Sequence, residues 1–438
     1  MPTRPPNQPA PGEESSESFT ATSLMRLAKF LLLICALQFI GLSYMIYQKK
    51  KAGPPPEQPV RSSVLSVSTK ADKPREYSLK GKPGPWGELE YVRINIVSPD
   101  DFLPGSGQSI PKTRWHFGGY NADKLTAFFQ SCDLTPEQLA ELLRPIGWSV
   151  SAEGISITPS EQLVLGMSSE ARGQIYSVLA ETAANDFQVW PYTFRPGAFD
   201  EWFENSGVSV GQQALIKKLT YQRGPAMCFS DLRELLLQVP VESERLAITQ
   251  ALSRRTGLLV KLRVGPDSDV EKLTEYWSKG GRAKDVGALL DSLSKVPGGT
   301  TIDIAHLLPA FVRSRLNTFP APVSNPNAHQ PDCYWTAMNF YKNPPDPLYA
   351  DDAIWRKDLA DNYTQVEEPS FGDLLFMVRA DGVPYHAAVY IADDIVFTKN
   401  GANHRQPWLL MRVEDMIARY PSNHPLSIVV FTPKHPAK

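Results

Sequence analysis

The residues best suited to do chemistry lie in the last third of the chain, where Cys333 follows Asp332 and His386 heads an apolar segment. A cysteine in the first turn of a helix lies beside free backbone N–H groups and the positive end of the helix dipole, and both stabilise a thiolate. A histidine alongside could take the thiol proton and return it to a leaving amine. The pair therefore predicts attack by Cys333 on an amide carbonyl.

The surrounding sequence predicts the elements that must position these side chains. Asp332 is a suitable N-cap for a buried helix, and Gly372-Asp373 predicts a turn into an apolar strand. Strand alternation places His386 on the same face as Ala388. The predicted elements are a helix over 334–341 and strands over 371–378, 385–394 and 394–401.

The order and spacing of these motifs resembles the NlpC-type family of bacterial cell-wall peptidases, a minimal papain-like fold, over residues 325–438. An Asp-Cys pair opens a helix in that family, a Gly-Asp precedes an apolar strand, and a histidine heads a strand that turns into the next one. The resemblance implies a thiol hydrolase with Cys333 and His386 as the catalytic pair and no metal or other cofactor. The family's usual substrates are γ-D-glutamyl–diamino-acid links in peptidoglycan stem peptides.

A third polar group should orient the imidazole. In the family this group, often a second histidine, lies about twelve residues after the first, a position that Thr398 holds here as a poor orienting group. Asn400 would face the same side of the strand and is the predicted third catalytic residue. Lys399 and His404 are alternatives.

The residues after the cysteine depart from the family, which has Ser-Gly where this chain has Tyr334-Trp335. We expect these aromatic side chains, with Asp332, to contact the substrate and reshape its cleft. The same departure leaves a second hypothesis open, a catalytically inactive papain-like module that binds cell-wall peptide or a partner protein.

A competing motif, Gly-Val-Ser-Val-Gly at 207–211, matches the nucleophile elbow of serine hydrolases. An elbow requires a preceding strand. The preceding FDEWFENS predicts an amphipathic helix instead, which favours a turn between helices.

The N-terminal part of the chain predicts a membrane anchor. Residues 30–47 carry no charge and would span about 27 Å as a helix, close to the ~30 Å hydrocarbon core of a bilayer. Basic residues flank the segment, two before and three after, which favours the C-terminal bulk in the cytoplasm. The family resemblance implies the opposite orientation, with a single-pass bacterial inner-membrane protein whose bulk is periplasmic or otherwise extracytoplasmic.

Composition limits the other classes of protein to which this chain could belong. The 438 residues carry a net charge of −2 and 42% hydrophobic residues, so there is material for a sizeable core and no basic excess for nucleic acid. The four cysteines form no CxxC pair, which excludes a zinc knuckle, although a disulfide between Cys132 and Cys228 is conceivable. The oligomeric state is not predicted.

The predicted fold class is α+β, with an N-terminal transmembrane helix, a mostly helical middle domain and a C-terminal papain-like domain. Pro-rich and polar segments separate these parts. The predicted boundaries are 1–23 (disordered), 24–50 (anchor), 51–86 (linker), 87–320 (middle domain of unknown role) and 325–438 (NlpC-type domain).

Overall fold

A computed structural model describes residues 79–103, 112–322 and 330–435, which form an α+β structure. The strands, in chain order, are β1 (Leu79–Lys80), β2 (Glu88–Ile96), β3 (Trp115–Gly118), β4 (Trp148–Ser151), β5 (Gly154–Ile157), β6 (Tyr192–Phe194), β7 (Tyr221–Arg223), β8 (Ala226–Phe229), β9 (Arg255–Val264), β10 (Thr300–Asp303), β11 (Tyr363–Val366), β12 (Leu374–Arg379), β13 (Pro384–Ala392), β14 (Ile395–Lys399), β15 (Trp408–Arg412) and β16 (Leu426–Pro433).

The α-helices are Ala122–Ser131, Pro136–Leu142, Glu161–Gly166, Ser169–Leu179, Asp186–Val189, Phe199–Phe203, Val210–Lys218, Leu232–Leu237, Glu242–Ser253, Val270–Trp277, Ala283–Ser294, Ala310–Arg313, Cys333–Met338, Asp352–Asn362 and Val413–Ile417. Short 3₁₀ turns lie at Asp100–Phe102, Pro145–Gly147, Ile304–His306 and Pro347–Ala350.

A six-stranded antiparallel sheet, in the order β11-β16-β12-β13-β14-β15, carries the candidate site. Its central strands are apolar on both faces because both faces are covered. The helix Cys333–Met338 packs on the face that presents Ala387, Val389 and Phe397. Met377 and Ala388 pack in a separate cluster on the other face.

A second sheet, β1-β2-β9-β10, completes the same hydrophobic core. Leu262 and Trp277 from the middle of the chain are fully buried in one cluster with Val389 and Phe397 of the six-stranded sheet. The Tyr276 hydroxyl donates to the carbonyl oxygen of Ile391 at 2.7 Å. Burial of apolar surface across both parts therefore joins them into one folding unit.

The rest of the middle region, residues 115–253, surrounds two smaller sheets, β3-β5-β4 and β6-β8-β7, each with its own core. Helices form the larger part of the regular secondary structure in the middle region, as predicted, but these small sheets were not predicted. Their short strands lack the long alternating pattern of β2 and β9, so they could not be distinguished from loops in the sequence.

The membrane-spanning part of the predicted fold class is also not supported. Within 79–103, 112–322 and 330–435, the structure contains no helix with the length and apolarity needed to cross a bilayer. The predicted anchor at 24–50 lies outside these described residues.

Several local predictions are confirmed where the chain carries its own start signals. Thr135-Pro136-Glu137-Gln138 predicts a helix start with a capping box, and the helix Pro136–Leu142 begins with this box. The sequence also predicts one helix around 303–316; this is wrong, since a 3₁₀ turn and the short helix Ala310–Arg313 occupy this stretch around Pro309.

The nucleophile-elbow motif at 207–211 lies where a turn between helices was expected. Phe199–Phe203 is a helix, and Ser209 caps the next helix by accepting a hydrogen bond from the N–H of Gln212. The Ser209 hydroxyl is thus committed to a helix start, and no strand precedes it in the described sequence 195–208.

Candidate functional site

Cys333 is the first residue of the helix Cys333–Met338, as the sequence predicts. Asp332 caps this helix, because its Oδ1 accepts the N–H of Trp335 at 2.7 Å. Cys333 is 5% exposed. The main-chain N–H of Ala387, the residue next to His386, acts to lower the pKa of the Cys333 thiol. The fold therefore brings the cysteine to the strand that carries the histidine.

The strand pairing explains how the sulfur reaches the main chain of Ala387. The pairing of β13 with β14 starts at Val389 opposite Phe397, so Ala387 lies beyond the paired stretch. A main-chain N–H without a strand partner needs another acceptor when it is buried. At the point where the two strands separate, this N–H acts on the Cys333 thiol and lowers its pKa.

The imidazole of His386 is fully buried and bonded at both nitrogens. Thr398 Oγ1 lies 2.8 Å from Nε2, and Tyr420 Oη lies 2.7 Å from Nδ1. The Thr398 hydroxyl also donates to the carbonyl oxygen of Ala387 at 3.4 Å. A hydroxyl has one proton to donate, so Thr398 accepts from Nε2–H and the lone pair of the ring is on Nδ1. Tyr420 donates to that lone pair.

Within the part of the chain that the structure describes, no hydrogen bond joins the Cys333 sulfur to the His386 imidazole. His386 is paired with Met377 on the face away from the helix Cys333–Met338. Contact between sulfur and Nδ1 would require the Tyr420 hydroxyl to leave. The imidazole nitrogen that could accept a thiol proton is therefore occupied by Tyr420.

Burial determines the protonation of both groups. It raises the pKa of the Cys333 thiol to about 12, and the charge of Asp332 adds to the effect. Burial lowers the pKa of His386 to about 3. The expected stabilisation of a thiolate by the helix start is outweighed by desolvation, so both groups are neutral near pH 7.

Lys399 is a second buried ionisable group beside the thiol. Its ammonium donates to the carbonyl oxygens of Gly401 at 2.6 Å and Asn403 at 3.0 Å. Burial lowers its pKa to about 7, although the neighbouring Asp332 and Cys333 act in the opposite direction. A cation in this position favours the thiolate form of Cys333.

Asn400, the predicted third catalytic residue, does not contact the imidazole. Its Nδ2 lies 3.6 Å from the sulfur of Met411, and its buried Oδ1 has no hydrogen-bond partner among the residues described. Thr398, 12 residues after His386, supports Nε2 instead. The spacing from His386 pointed to Thr398, but we expected a threonine hydroxyl to orient the imidazole poorly. Lys399 and His404, the alternatives, also make no hydrogen bond to His386 in the described structure.

The predicted substrate contacts have structural roles. Trp335 is 8% exposed and packs against Phe311, with ring centroids 5.5 Å apart. Tyr334 stacks on Trp355 at 4.4 Å. These aromatic rings fill the core around the helix. Asp332 is the helix cap, and its charge acts on the thiol.

Gly372 is required by the close approach of a tyrosine. It has a positive φ of 88°, and a Cβ at this position would lie 1.8 Å from the hydroxyl oxygen of Tyr341. The Asp373 carboxylate accepts the N–H of Ser370 at 2.7 Å and so closes the turn. This turn sets the register with which β12 enters the sheet.

Comparisons with protein-family models, curated proteins and solved structures give no match to this chain. Function must therefore be inferred from the geometry of the site and from the sequence motifs. The residue that the sequence analysis missed is Tyr420. It follows a short helix in a loop, and no motif or spacing connects it with His386.

Proposed function

We propose that this protein is a thiol hydrolase that cleaves amide bonds, with Cys333 as the nucleophile and His386 as the base. The observation that carries the proposal is that Cys333 is the first residue of a helix packed on the strand that carries His386, whose Nε2 is held by Thr398. This support leaves the lone pair on Nδ1, the nitrogen that must accept the thiol proton.

The reaction would follow the usual course for a thiol nucleophile. The thiol proton moves to Nδ1 of His386, and the sulfur forms a bond to the carbonyl carbon. The imidazolium then protonates the amine nitrogen as the C–N bond breaks. Water hydrolyses the thioester, which releases the acid and restores the thiol.

The substrate class rests on the NlpC-type resemblance alone, which suggests peptide amides of the cell envelope, above all peptidoglycan stem peptides. The test is release of amine and carboxyl products from purified muropeptides by the wild-type chain and by Cys333→Ala. Cys228→Ala is the matched control, because Cys228 is a buried thiol in another core. Equal cleavage by wild type and Cys333→Ala would overturn the proposal.

The second candidate is a non-catalytic papain-like binding module. The occupied Nδ1 and the raised pKa of the buried thiol favour it. Under this hypothesis Cys333→Ala binds muropeptides as tightly as the wild type, and neither chain cleaves them. Calorimetric titration of both chains, followed by product analysis of the same samples, distinguishes the two functions.

A further inference from the structure

Tyr420 connects the candidate site with the middle region of the chain. Its hydroxyl lies 2.7 Å from Nδ1 of His386, and its ring stacks on the imidazole with centroids 4.3 Å apart. Nε2 is already bonded to Thr398, so Nδ1 is the nitrogen that carries the lone pair. While Tyr420 holds this nitrogen, the imidazole cannot act as a base.

The contact is stable as a hydrogen bond from a neutral phenol. Burial, together with the neighbouring Cys333, raises the pKa of Tyr420 well above its usual value. The hydroxyl therefore keeps its proton and donates it to the Nδ1 lone pair. The ring of Tyr385 packs edge-on against Tyr420 at 5.6 Å and supports its position.

Tyr420 belongs to a segment that we call the tyrosine loop, residues 418–425, and the middle region holds this loop at its far end. The Asn423 side chain accepts a hydrogen bond from Nε of Arg223 at 3.0 Å. It also donates to the carbonyl oxygen of Ser177 at 3.1 Å and to the Glu181 carboxylate at 3.2 Å. Both ends of the Asn423 amide are therefore bonded to the middle region.

Main-chain packing holds the loop one residue earlier. Gly224, in the turn between β7 and β8, has a φ of 55°, and a Cβ on it would lie 2.4 Å from the carbonyl oxygen of Ser422. No L side chain fits this approach without displacement of one of the two main chains. The glycine thus allows the hairpin to press directly on the tyrosine loop.

The start of the loop is anchored as well. The guanidinium of Arg419 lies over the ring of Trp202 at 4.8 Å and donates to the carbonyl oxygen of Thr193 at 3.5 Å. Asp415, in the preceding helix, pairs with Arg195 at 3.0 Å. The middle region therefore contacts the loop on both sides of Tyr420.

We propose that the middle region is a gate that keeps the thiol site closed. It positions the tyrosine loop so that Tyr420 occupies Nδ1 of His386, and release of the loop frees this nitrogen for Cys333. The inference rests on the proposed function, since it concerns the same thiol and imidazole. It gives residues 177–224 a regulatory role.

The test compares variants by the rate at which iodoacetamide alkylates Cys333, measured by peptide mass spectrometry at neutral pH. Tyr420→Phe removes the hydroxyl and retains the ring. Gly224→Ala displaces the loop from the hairpin. Gly207→Ala is the matched control, because Gly207 also has a positive φ, 75°, but a Cβ there meets nothing within 4 Å. Cys228 in each sample reports any general unfolding.

We expect iodoacetamide to alkylate Cys333 about tenfold faster in Tyr420→Phe and Gly224→Ala than in the wild type. A factor of ten is the effect of one pKa unit on the thiolate fraction. Gly207→Ala should match the wild type, and Cys228 should stay slow in all four chains. Equal rates of Cys333 alkylation in all four chains would overturn the proposal of a gate. That result leaves the hydrolase proposal untouched, because the muropeptide assay with Cys333→Ala decides it separately.

Discussion

At the scale of single residues, His386 shows how position decides the chemistry of a side chain. The same imidazole would be half protonated near pH 6.5 in water, but burial without a charged partner lowers its pKa to about 3. Burial therefore keeps His386 neutral near pH 7, while hydrogen bonds at both ring nitrogens fix its orientation. Its two hydroxyl partners, Thr398 and Tyr420, carry no charge that would restore the proton.

The depressed pKa of His386 predicts a pH-dependent stability. Between pH 6.5 and about 3 the unfolded chain binds a proton at this histidine and the folded chain does not, so the stability present above pH 6.5 is lost as the pH falls. His386→Gln should reduce the slope of unfolding free energy against pH in this window by up to about 1.4 kcal/mol per pH unit. Urea denaturation at several pH values measures it.

The control for this experiment is His306→Gln, since His306 is an exposed histidine in a 3₁₀ turn. Its slope should equal that of the wild type. An unchanged slope in His386→Gln would show that the buried imidazole binds its proton equally well in the folded and unfolded chains.

At the scale of elements, the start of the helix Cys333–Met338 combines a cap with an unfavourable charge. Asp332 holds the helix through its Oδ1, yet its charge raises the pKa of the Cys333 thiol. Asparagine also caps helices well. Asp332→Asn should therefore keep the helix and lower the thiol pKa.

The measurement is the pH dependence of Cys333 alkylation, which should shift to lower pH in Asp332→Asn while the unfolding free energy changes little. Asp332→Ala is the informative contrast, because it also removes the charge but loses the cap, at a cost of about 1 kcal/mol. A shift to higher pH in Asp332→Asn would contradict the electrostatic explanation.

The turn before β12 gives a second prediction at this scale. Gly372→Ala should be strongly destabilising, because its Cβ would overlap the Tyr341 hydroxyl. Gly382→Ala is the control with a similar positive φ, 77°, and no atom within 4 Å of its Cβ. The control should lose about 1–2 kcal/mol from backbone strain. Gly372→Ala should lose about 1–3 kcal/mol more through overpacking, measured by thermal unfolding of both chains.

At the scale of the whole molecule, one core joins the middle region to the six-stranded sheet. Leu258 and Leu262 of β9 are buried with Phe371 and Phe376 of the C-terminal region. The main chain also crosses between them, since Asn317 N–H donates to the carbonyl oxygen of Trp408 at 2.8 Å. The sheet that carries the site is thus completed by residues far earlier in the chain.

We therefore expect residues 325–438 alone not to unfold cooperatively, because the apolar face left without β9 and the helix Val270–Trp277 would be exposed. Circular dichroism and urea denaturation of the truncated chain test this. A chain of residues 79–438 is the control and should show one transition. A cooperative transition in the short chain would mean that the C-terminal region has a sufficient core of its own.

Much of the fold was accessible from local sequence signals. Residues 88–97 and 257–264 predict strands, which are β2 and β9, and capping residues at Thr135 and at Ser168 or Ser169 predict helix starts, which the structure places after Thr135 and Ser168. Such signals work because period and capping are properties of short segments. The short strands of the middle region carry no such signal and were missed.

The sequence by itself determined that Cys333 starts a helix and that His386 heads a strand of an antiparallel sheet. Only the tertiary structure decided that Thr398, and not Asn400, supports the imidazole, and that Tyr420 occupies its other nitrogen. The physical reason is that helix starts and strand alternation depend on neighbours in sequence. The protonation and partners of a buried imidazole depend on which distant segments exclude water from it.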